Sequence, residues 1–371
     1  MSVRTGSRVI PTFATIALSA VLALSAVFAY GQVGSVVSGK RLAKRDGRVI
    51  SVTRERDRPR DRKQNEVNGE VVVSIPGEAA PTATTTPAPA ATGACSGTKV
   101  PAGASIQAAI NGSPEGATLC LSAGTYDTSS TIKLKSGIKL IGAGRTATFI
   151  KTTSAETVLE GRNTSNVLLQ GFDVSGGVER GIRSGLNTVV NEVRAHHNGV
   201  TGIGGTDGNL VITNSELSYN GRDSDLGIGA SGIKTGKAFT IKNSYVHDNT
   251  GVGIWCDVGC DGGTFTVQNN TVTNNVRGGI RYEISASAAL ISGNVVKNNN
   301  LENKGGHGGI EINSSRNAVV ENNVLGGNKG AGIIVNGGRS PGTANITIRN
   351  NTLNGDRVSG CGASVSCATN E

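Results

Sequence analysis

Large side chains are scarce in this chain. Among its 371 residues there are one methionine, one tryptophan and 3% aromatic residues, against 54 glycines. An ordinary helical or sandwich domain fills its interior with larger side chains than these. The composition therefore predicts a thin core of small aliphatic residues.

Excess positive charge is also scarce beyond the N-terminal quarter. The net charge is +9, but residues 1–93 hold 13 Lys and Arg against 7 Asp and Glu, which leaves +3 for the other 278 residues. Nucleic-acid binding needs a basic stripe and aromatic stacking platforms. Because the rest of the sequence lacks both, no nucleic-acid partner is expected.

The beginning of the chain predicts export. Arg4 and Arg8 precede an apolar run over residues 10–29, and Ala29 ends a possible cleavage site. The run is also long enough to serve as an uncleaved membrane anchor. Either fate places the protein outside the cytoplasm, so we expect it to be secreted or held at the cell surface.

The sequence divides into three parts. Residues 1–30 are interpreted as a signal peptide or membrane anchor, and membrane contact is expected only through them. Residues 31–93 are first rich in alternating charges and then in Pro, Thr and Ala, which predicts a disordered linker. Residues 94–371 form the predicted folded domain.

All six cysteines lie in the predicted folded domain and fall into near pairs. In an exported chain, an even number of cysteines at such spacings predicts disulfides. The near pairs are Cys95 with Cys120, Cys256 with Cys260, and Cys361 with Cys367, although the sequence leaves the pairing itself open.

Two short phrases recur along the folded part. The dipeptide Gly-Ile returns at steps of 21 to 30 residues, and an Asn-rich phrase around an aliphatic residue, such as Asn269-Asn-Thr-Val272, returns between its copies. Two interleaved series with one period indicate a single structural unit used many times. The Gly-Ile dipeptides begin at Gly181, Gly202, Gly232, Gly253, Gly279, Gly309 and Gly332.

The repeating unit is too short for two helices and their connections. Its apolar runs, such as Leu210-Val-Ile212, alternate with period two, which is typical of strands. One unit alone cannot bury its apolar face, but coils stacked about 4.8 Å apart would bury it. Parallel strands joined by crossovers wind right-handed. We therefore predict an all-β right-handed parallel β-helix of about eight to ten coils, with a ladder of asparagines at one turn of each coil.

The start of the folded part predicts a cap. Ser105-Ile-Gln-Ala-Ala-Ile110 has the pattern of a short N-terminal capping helix, and the open end of a coil stack needs such a cover. With Ser122-Ala-Gly-Thr-Tyr126 and the Asn phrases, the segment resembles the pectate-lyase-like superfamily of right-handed parallel β-helices over residues 94–371. The resemblance implies work on polysaccharide, although the superfamily includes lyases, hydrolases, epimerases and non-catalytic adhesins.

The strand alternation predicts a polar surface. If the Ile of each Gly-Ile dipeptide points inward, the residues one and three positions later point outward. Inserted segments beside these strands would wall a groove, and they cover residues 220–231, 256–263, 298–309 and 336–345. On the middle coils, the predicted outer row consists of Lys234, Trp255, Arg281 and Glu311 in one column and Asp257, Glu283 and Asn313 in the next.

This outer row contains the candidate binding residues. Trp255 is expected to stack on a sugar ring or to hold Arg281 by a cation–π contact. Glu311 and Asn313 are expected to contact substrate beside it. Gly306-His307-Gly308 resembles the Gly-His-Gly motif of polygalacturonases, so His307 is also expected to line the groove.

The row also contains the candidate catalytic residues. Asp257 and Glu283 lie on adjacent coils and repel unless a proton or a cation compensates them. With Asn313 they would supply oxygen ligands for Ca²⁺, which in uronate-cleaving members of the superfamily neutralises the substrate carboxylate. The resemblance then implies Arg281 or Lys234 as the base of a β-elimination.

Several alternatives remain open. Asp257 and Glu283 could instead act as acid and base, or acid and nucleophile, of a glycoside hydrolase, or the groove could belong to an epimerase. Arg281-Tyr282-Glu283 replaces the paired aspartates of polygalacturonases, which puts that family's mechanism in doubt. A non-catalytic glycan-binding or cell-surface module is the other alternative, with the outer row as a surface salt-bridge ladder.

The remaining histidines give a weaker signal. His196, His197 and His247 fall near the predicted asparagine ladder, on a different face from Trp255. No further Cys or His stands at ligand spacing from them, so we interpret them as turn or surface residues.

Overall fold

The computed structural model describes residues 95–221 and 229–371, together with the backbone of two antiparallel strand pairs nearer the N-terminus. These pairs join Leu42–Arg45 to Arg48–Ser51, and Glu66–Val67 to Glu70–Val71. The predicted signal peptide or anchor and the rest of the predicted linker lie outside the described residues. Within the described residues, no helix is long and apolar enough to cross a membrane.

The folded part is a stack of coils whose strands form three parallel sheets. The sheets contain nine, ten and twelve strands, so the predicted parallel β-helix is confirmed and is slightly longer than expected. Each coil contributes in turn to the Gly-Ile sheet, the twelve-stranded sheet and the nine-stranded sheet. The Gly-Ile sheet comprises Ile132–Lys133, Thr157–Glu160, Arg180–Arg183, Thr201–Gly204, Ser231–Lys237, Val252–Asp261, Gly278–Glu283, Gly308–Asn313, Ala331–Asn336 and Val358–Ser359.

The other two sheets complete each coil. The twelve-stranded sheet comprises Thr98–Val100, Thr118–Leu121, Lys139–Gly142, Leu168–Gln170, Val189–Asn191, Leu210–Thr213, Phe239–Lys242, Phe265–Gln268, Ala289–Ser292, Arg316–Glu321, Ala344–Arg349 and Val365–Ala368. The nine-stranded sheet comprises Gly124–Thr128, Thr148–Thr152, Asp173–Ser175, Arg194–His196, Glu216–Ser218, Tyr245–His247, Thr271–Thr273, Val295–Lys297 and Val324–Gly326.

The predicted phase of the Gly-Ile sheet is confirmed. Ile254, Ile280 and Ile310 are fully buried and occupy the same register position on consecutive strands. Tyr282, two residues beyond Ile280, is also buried, and desolvation raises its pKa to about 12. Because these side chains fill the bore, their alternate neighbours face outward.

Two columns of buried asparagines connect the coils. At each rung the side-chain amide of one asparagine donates to the side-chain oxygen of the next, over 2.9 to 3.1 Å. The predicted ladder lies between the twelve- and nine-stranded sheets and comprises Asn270, Asn294, Asn323, Asn351 and Asn370. A second ladder, between the nine-stranded and Gly-Ile sheets, comprises Asn198, Asn220, Asn249, Asn275, Asn299 and Asn328.

The second ladder explains why glycine precedes each inward isoleucine. A Cβ atom on Gly253 would lie 2.7 Å from Nδ2 of Asn275 and 2.8 Å from the carbonyl oxygen of Gly279. The Gly-Ile and Asn repeats are therefore two parts of one contact, because the ladder amide packs against the glycine of the preceding coil.

This contact gives a testable expectation. Gly253→Ala should lower the free energy of unfolding by about 2 kcal/mol, since either the ladder or the strand must move to admit the methyl group. Gly236→Ala is the matched control on the preceding strand of the same sheet, because its added Cβ would meet nothing closer than the Val258 carbonyl oxygen at 3.5 Å. Thermal unfolding of both variants measures the difference, and equal losses would refute the explanation.

The ends of the stack and one strand are fixed as the cysteine spacing predicts. The described disulfides join Cys95 to Cys120, Cys256 to Cys260 and Cys361 to Cys367, with Cα–Cα distances of 5.8, 5.6 and 5.9 Å. The capping helix spans Ile106–Asn111, and its N-cap Ser105 accepts a hydrogen bond from the Ala108 amide at 3.1 Å.

One predicted wall of the groove differs from expectation. Residues 256–263 were expected to leave the stack as a loop. The strand Val252–Asp261 continues through most of them, but residues 257–260 form a bulge in it, because Thr235 pairs with Cys256 and Lys237 pairs with Asp261. Residues 301–306 do project as an exposed turn, as do residues 337–340. The remaining predicted wall is residues 220–231, and residues 222–228 of it lie outside the described residues.

Candidate functional site

The outer row assembles on four consecutive strands of the Gly-Ile sheet. Lys234 is in register with Trp255, Trp255 with Arg281, and Arg281 with Glu311, as the alternation predicts. In the second column, Glu283 is in register with Asn313. The side chains of these strands therefore meet across the coils, although they are far apart in the sequence.

The tryptophan of this row is not exposed as expected. Only 7% of Trp255 is accessible. Lys234 Nζ lies 3.7 Å from its ring centroid, and the Arg281 guanidinium carbon lies 4.8 Å from it. Because Lys234 and Arg281 lie on the strands flanking that of Trp255, they approach the indole from opposite sides. The predicted cation–π contact is present, whereas sugar stacking would require one of these cations to move.

A buried ion pair lies beside the tryptophan. Arg281 Nε is 2.6 Å from Glu311 Oε2, and the two residues are 7% and 1% exposed. Glu311 also accepts a hydrogen bond from the Gly308 amide at 3.2 Å, and its carboxylate lies 3.1 Å from His307 Nδ1. These contacts keep Glu311 away from solvent, so it supports Arg281 rather than presenting itself to a ligand.

The Glu283 carboxyl group has a pKa above its ordinary value. Burial raises its pKa, and the nearby charges of Asp257 and Glu311 act in the same direction, while Arg281 and Trp255 oppose them. Trp255 Nε1 donates to Glu283 Oε2 at 3.0 Å, and Asn313 Nδ2 donates to Glu283 Oε1 at 3.0 Å. The side chain is thus held in one orientation, and part of it remains accessible.

The proposed calcium ligands are engaged by other groups. Asp257 Oδ2 lies 3.1 Å from Lys234 Nζ, and both oxygens of Glu283 accept hydrogen bonds from nitrogen donors. No cluster of three or more acidic, His or Cys side chains suited to a metal occurs among the described residues. In this arrangement Asp257, Glu283 and Asn313 do not fit a Ca²⁺ ion, because a cation would have to displace Lys234 and break both hydrogen bonds.

A second polar cluster, which the sequence analysis did not assemble, lies on the outer face of the nine-stranded sheet. His196 Nε2 lies 2.7 Å from Oδ2 of Asp173, a carboxylate that is 1% exposed, and His196 Nδ1 lies 2.6 Å from His197 Nδ1. Arg194 Nε lies 3.0 Å from Glu216 Oε1.

His196 and His247 are strand residues and His247 is 8% exposed, so the turn-or-surface interpretation was wrong for His247. The alternation around Ala195 and Val246 could have shown that both histidines face outward.

Two residues of this cluster, Glu216 and His247, have pKa values shifted in opposite directions. Burial would raise the pKa of Glu216, but the His247 hydrogen bond and the charge of Arg194 outweigh it and lower the pKa to about 2. Burial would likewise lower the pKa of His247, yet the carboxylates of Asp248 and Glu216 outweigh it and raise that pKa. The two residues therefore stabilise each other as an ion pair.

Comparison with known proteins places the fold in a family. The sequence model of the right-handed β-helix region matches residues 128–294 and 223–353, together more than half of the chain. No curated protein sequence matched.

Solved structures with a similar fold include the following three. The chain is 17% identical to the A-module of a mannuronan C-5 epimerase from Azotobacter vinelandii, covering 75% of this chain and 98% of that one, with a TM-score of 0.44. It is 17% identical to the N-terminal fragment of gene product 12 of bacteriophage phi29, covering 72% and 64%, with a TM-score of 0.47. It is 14% identical to the catalytic unit of an α-1,3-glucanase from Streptomyces thermodiastaticus, covering 75% of this chain and 69% of that one, with a TM-score of 0.39.

Likenesses at this level carry no argument about activity, and a shared solenoid does not imply a shared reaction. The matched region contains the outer row and both asparagine ladders except Asn370. By its repeat, its three parallel sheets and this match, the chain belongs to the right-handed β-helix family.

Proposed function

We propose that the protein is an exported enzyme that acts on an acidic polysaccharide at the outer row of the Gly-Ile sheet, by β-elimination. The observation that carries this proposal is the placement of a cation and two carboxylates, Lys234, Asp257 and Glu283, on the outer face of three consecutive coils. The three disulfides support export. The exposed turns at residues 301–306 and 337–340 would border a polymer lying on this sheet.

In this mechanism, charge neutralisation and proton abstraction belong to different residues. The Lys234 ammonium, about one-fifth exposed, would exchange Asp257 for the carboxylate of a uronate unit. Neutralising that carboxylate makes the proton on the carbon beside it more acidic. The raised pKa of Glu283 makes it a stronger base than an ordinary carboxylate once it has ionised.

The step is balanced within the substrate and water. Glu283 takes the proton from the carbon next to the uronate carboxylate, and a carbon–carbon double bond forms as the neighbouring carbon–oxygen glycosidic bond breaks. The leaving oxygen takes a proton from water, and Glu283 then gives its proton to the hydroxide that remains. We assign no base role to Arg281, because its Nε lies 2.6 Å from Glu311 Oε2 and only 7% of the residue is accessible.

Glycoside hydrolysis is the second candidate. It is favoured by the neighbouring positions of Asp257 and Glu283 in one column, together with the raised pKa of Glu283, which suits a general acid. Hydrolysis releases new reducing ends without an unsaturated product, so the two reactions are distinguishable.

The test is a screen of the purified full chain against uronate and neutral polymers. Ultraviolet absorbance detects the unsaturated product, a reducing-end assay detects cleavage of either kind, and a chelator arm tests the calcium prediction. Activity should rise with pH through a pKa above the ordinary carboxylate value, because Glu283 must be ionised to accept the proton. Absence of any product on every polymer would leave a non-catalytic glycan-binding or surface module.

The role of Glu283 is tested by Glu283→Gln, which should lower product formation about a hundredfold or more. Glu160→Gln is the matched control, since Glu160 also lies on the outer face of the Gly-Ile sheet and faces an arginine, Arg183, at 3.5 Å. Equal activity in the two variants would exclude Glu283 as the base.

A further inference from the structure

The nine-stranded sheet has a cleft on its outer face, away from the row proposed for catalysis. Its volume is about 380 Å³, within the range of about 300–1,000 Å³ that is typical of small-molecule sites. It is open to solvent and is lined by Phe149, Lys151, Asp173, Ser175, Gly176, Arg194, His196 and His197.

Strand register builds the cleft from two outward columns. Phe149, Asp173 and Arg194 occupy one column, and Lys151, Ser175 and His196 occupy the other. The residues between the columns, Ile150, Val174 and Ala195, are fully buried in the bore. The cleft therefore rests on three rigid rungs of the stack, which is a suitable support for a binding site.

One atom in the cleft needs a hydrogen-bond donor. Asp173 Oδ1 is buried and has no hydrogen-bond partner among the described residues, whereas Oδ2 lies 2.7 Å from His196 Nε2. A buried carboxylate oxygen without a donor is costly, so such groups usually mark a site of function or of bound solvent. Oδ1 has almost no accessible surface, so a ligand hydroxyl would satisfy it once a neighbouring side chain of the cleft moves aside.

The rim of the cleft supplies a cation and an apolar surface. Lys151 is exposed, lies 5.2 Å from the ring centroid of Phe149, and forms no ion pair with a described carboxylate. Arg194, in contrast, is already paired with Glu216. Lys151 is therefore the cation most readily available to an acidic ligand, and Phe149 offers it a partly exposed ring face.

We propose that this cleft is a saccharide-binding site for a carboxylated sugar unit. Lys151 binds the carboxylate, Asp173 Oδ1 accepts a hydrogen bond from a ring hydroxyl, and Phe149 packs against the apolar face of the ring. The site is independent of the outer row, and it would hold an acidic polymer whether or not that row is catalytic.

The four histidines and the single tryptophan allow the two surfaces to be read separately. The imidazole NMR signals of His196 and His197 report on the cleft. The imidazole signal of His307 and the fluorescence of Trp255 report on the outer row. Trimers of galacturonate and of mannuronate should shift the His196 and His197 signals saturably. The same trimers after reduction of their carboxyl groups should bind roughly tenfold more weakly.

Variants give the second readout. Lys151→Gln should weaken trimer binding at the cleft roughly tenfold, and because Lys151 is exposed, folding should be preserved. Lys297→Gln is the matched control, since Lys297 occupies the same register column of the nine-stranded sheet on a distant coil. Asp173→Asn should also weaken trimer binding at the cleft. Glu283→Gln, which changes the outer row, should leave trimer binding at the cleft unchanged.

Three outcomes would overturn the proposal. One is a response confined to His307 and Trp255, which would place the trimers on the outer row alone. Another is equal binding of native and carboxyl-reduced trimers, which would remove the acidic-ligand assignment. The third is the absence of any shift at His196 and His197 up to saturating trimer.

Discussion

Replacing Asn275 with alanine is expected to destabilise the solenoid by about 3 kcal/mol or more. Asn275 is fully buried, and its Nδ2 donates to the Val246 and Thr273 carbonyl oxygens and to Asn299 Oδ1. Its Oδ1 accepts from the backbone and side-chain amides of Asn249. Alanine leaves these buried groups without partners, and each orphaned group costs about 1–3 kcal/mol.

Amide hydrogen exchange and thermal unfolding measure this loss. Protection should fall first in the coils on either side of the substitution, because a solenoid is held by nearest-neighbour contacts. Asn191→Ala is the control: Asn191 is half-buried, and among the described residues its side chain accepts only from the side chains of Thr213 and Asn214, at 2.9 Å. It should cost less than about 1 kcal/mol, and a comparable loss in both variants would show that the ladder is not the stabilising element.

Glu311→Gln is expected to destabilise the protein by about 3 kcal/mol. It removes the carboxylate that pairs with Arg281 at 2.6 Å, and both side chains are more than nine-tenths buried. Breaking a buried pair on one side leaves an uncompensated charge in a poorly solvated position. The loss should also alter Trp255 fluorescence, because Arg281 would no longer be held against the indole.

The control for this pair is Glu321→Gln on the twelve-stranded sheet. Glu321 also pairs with an arginine, Arg349 at 2.8 Å, but half of the Arg349 side chain is exposed. An exposed pair contributes about 0–1 kcal/mol, so denaturant unfolding should separate the two variants clearly. Equal losses would mean that water reaches the Arg281–Glu311 pair and that the outer row is more open than the structure shows.

Glu311→Gln and Glu283→Gln together divide the outer row by role. Arg281 and Glu311 are expected to affect stability, whereas Glu283 and Lys234 are expected to affect chemistry. The raised pKa of Glu283 depends on its burial and on Asp257 and Glu311. Loss of Glu311 should therefore also shift the pH profile of any activity toward lower pH.

The repeat pattern was sufficient to predict the solenoid. Period-two alternation around Ile254, Ile280 and Ile310 fixes which residues face the bore, and coil stacking then fixes which residues become neighbours. The same argument placed Lys234 and Trp255 side by side, as the strand register confirms. The even number of cysteines and their near pairs indicated three disulfides, and the structure decides their pairing.

Alternation could not predict what covers an outward residue. Trp255 faces outward, but the long side chains of Lys234 and Arg281 lie across it and leave 7% exposed. Likewise, the cluster of Asp173 and His196 depends on two strands of adjacent coils coming into register. Local sequence around either residue contains no sign of the other.

The sequence by itself determined the solenoid, the inward isoleucines and the predicted asparagine ladder, because each follows from a period repeated along the chain. Only the tertiary structure decided which polar side chains are exposed and which carboxylates are paired. Those properties depend on side-chain conformations and on neighbours one coil away, where small differences in burial change the charge that a group carries. The outer row and the cleft of the nine-stranded sheet are for that reason properties of the stack.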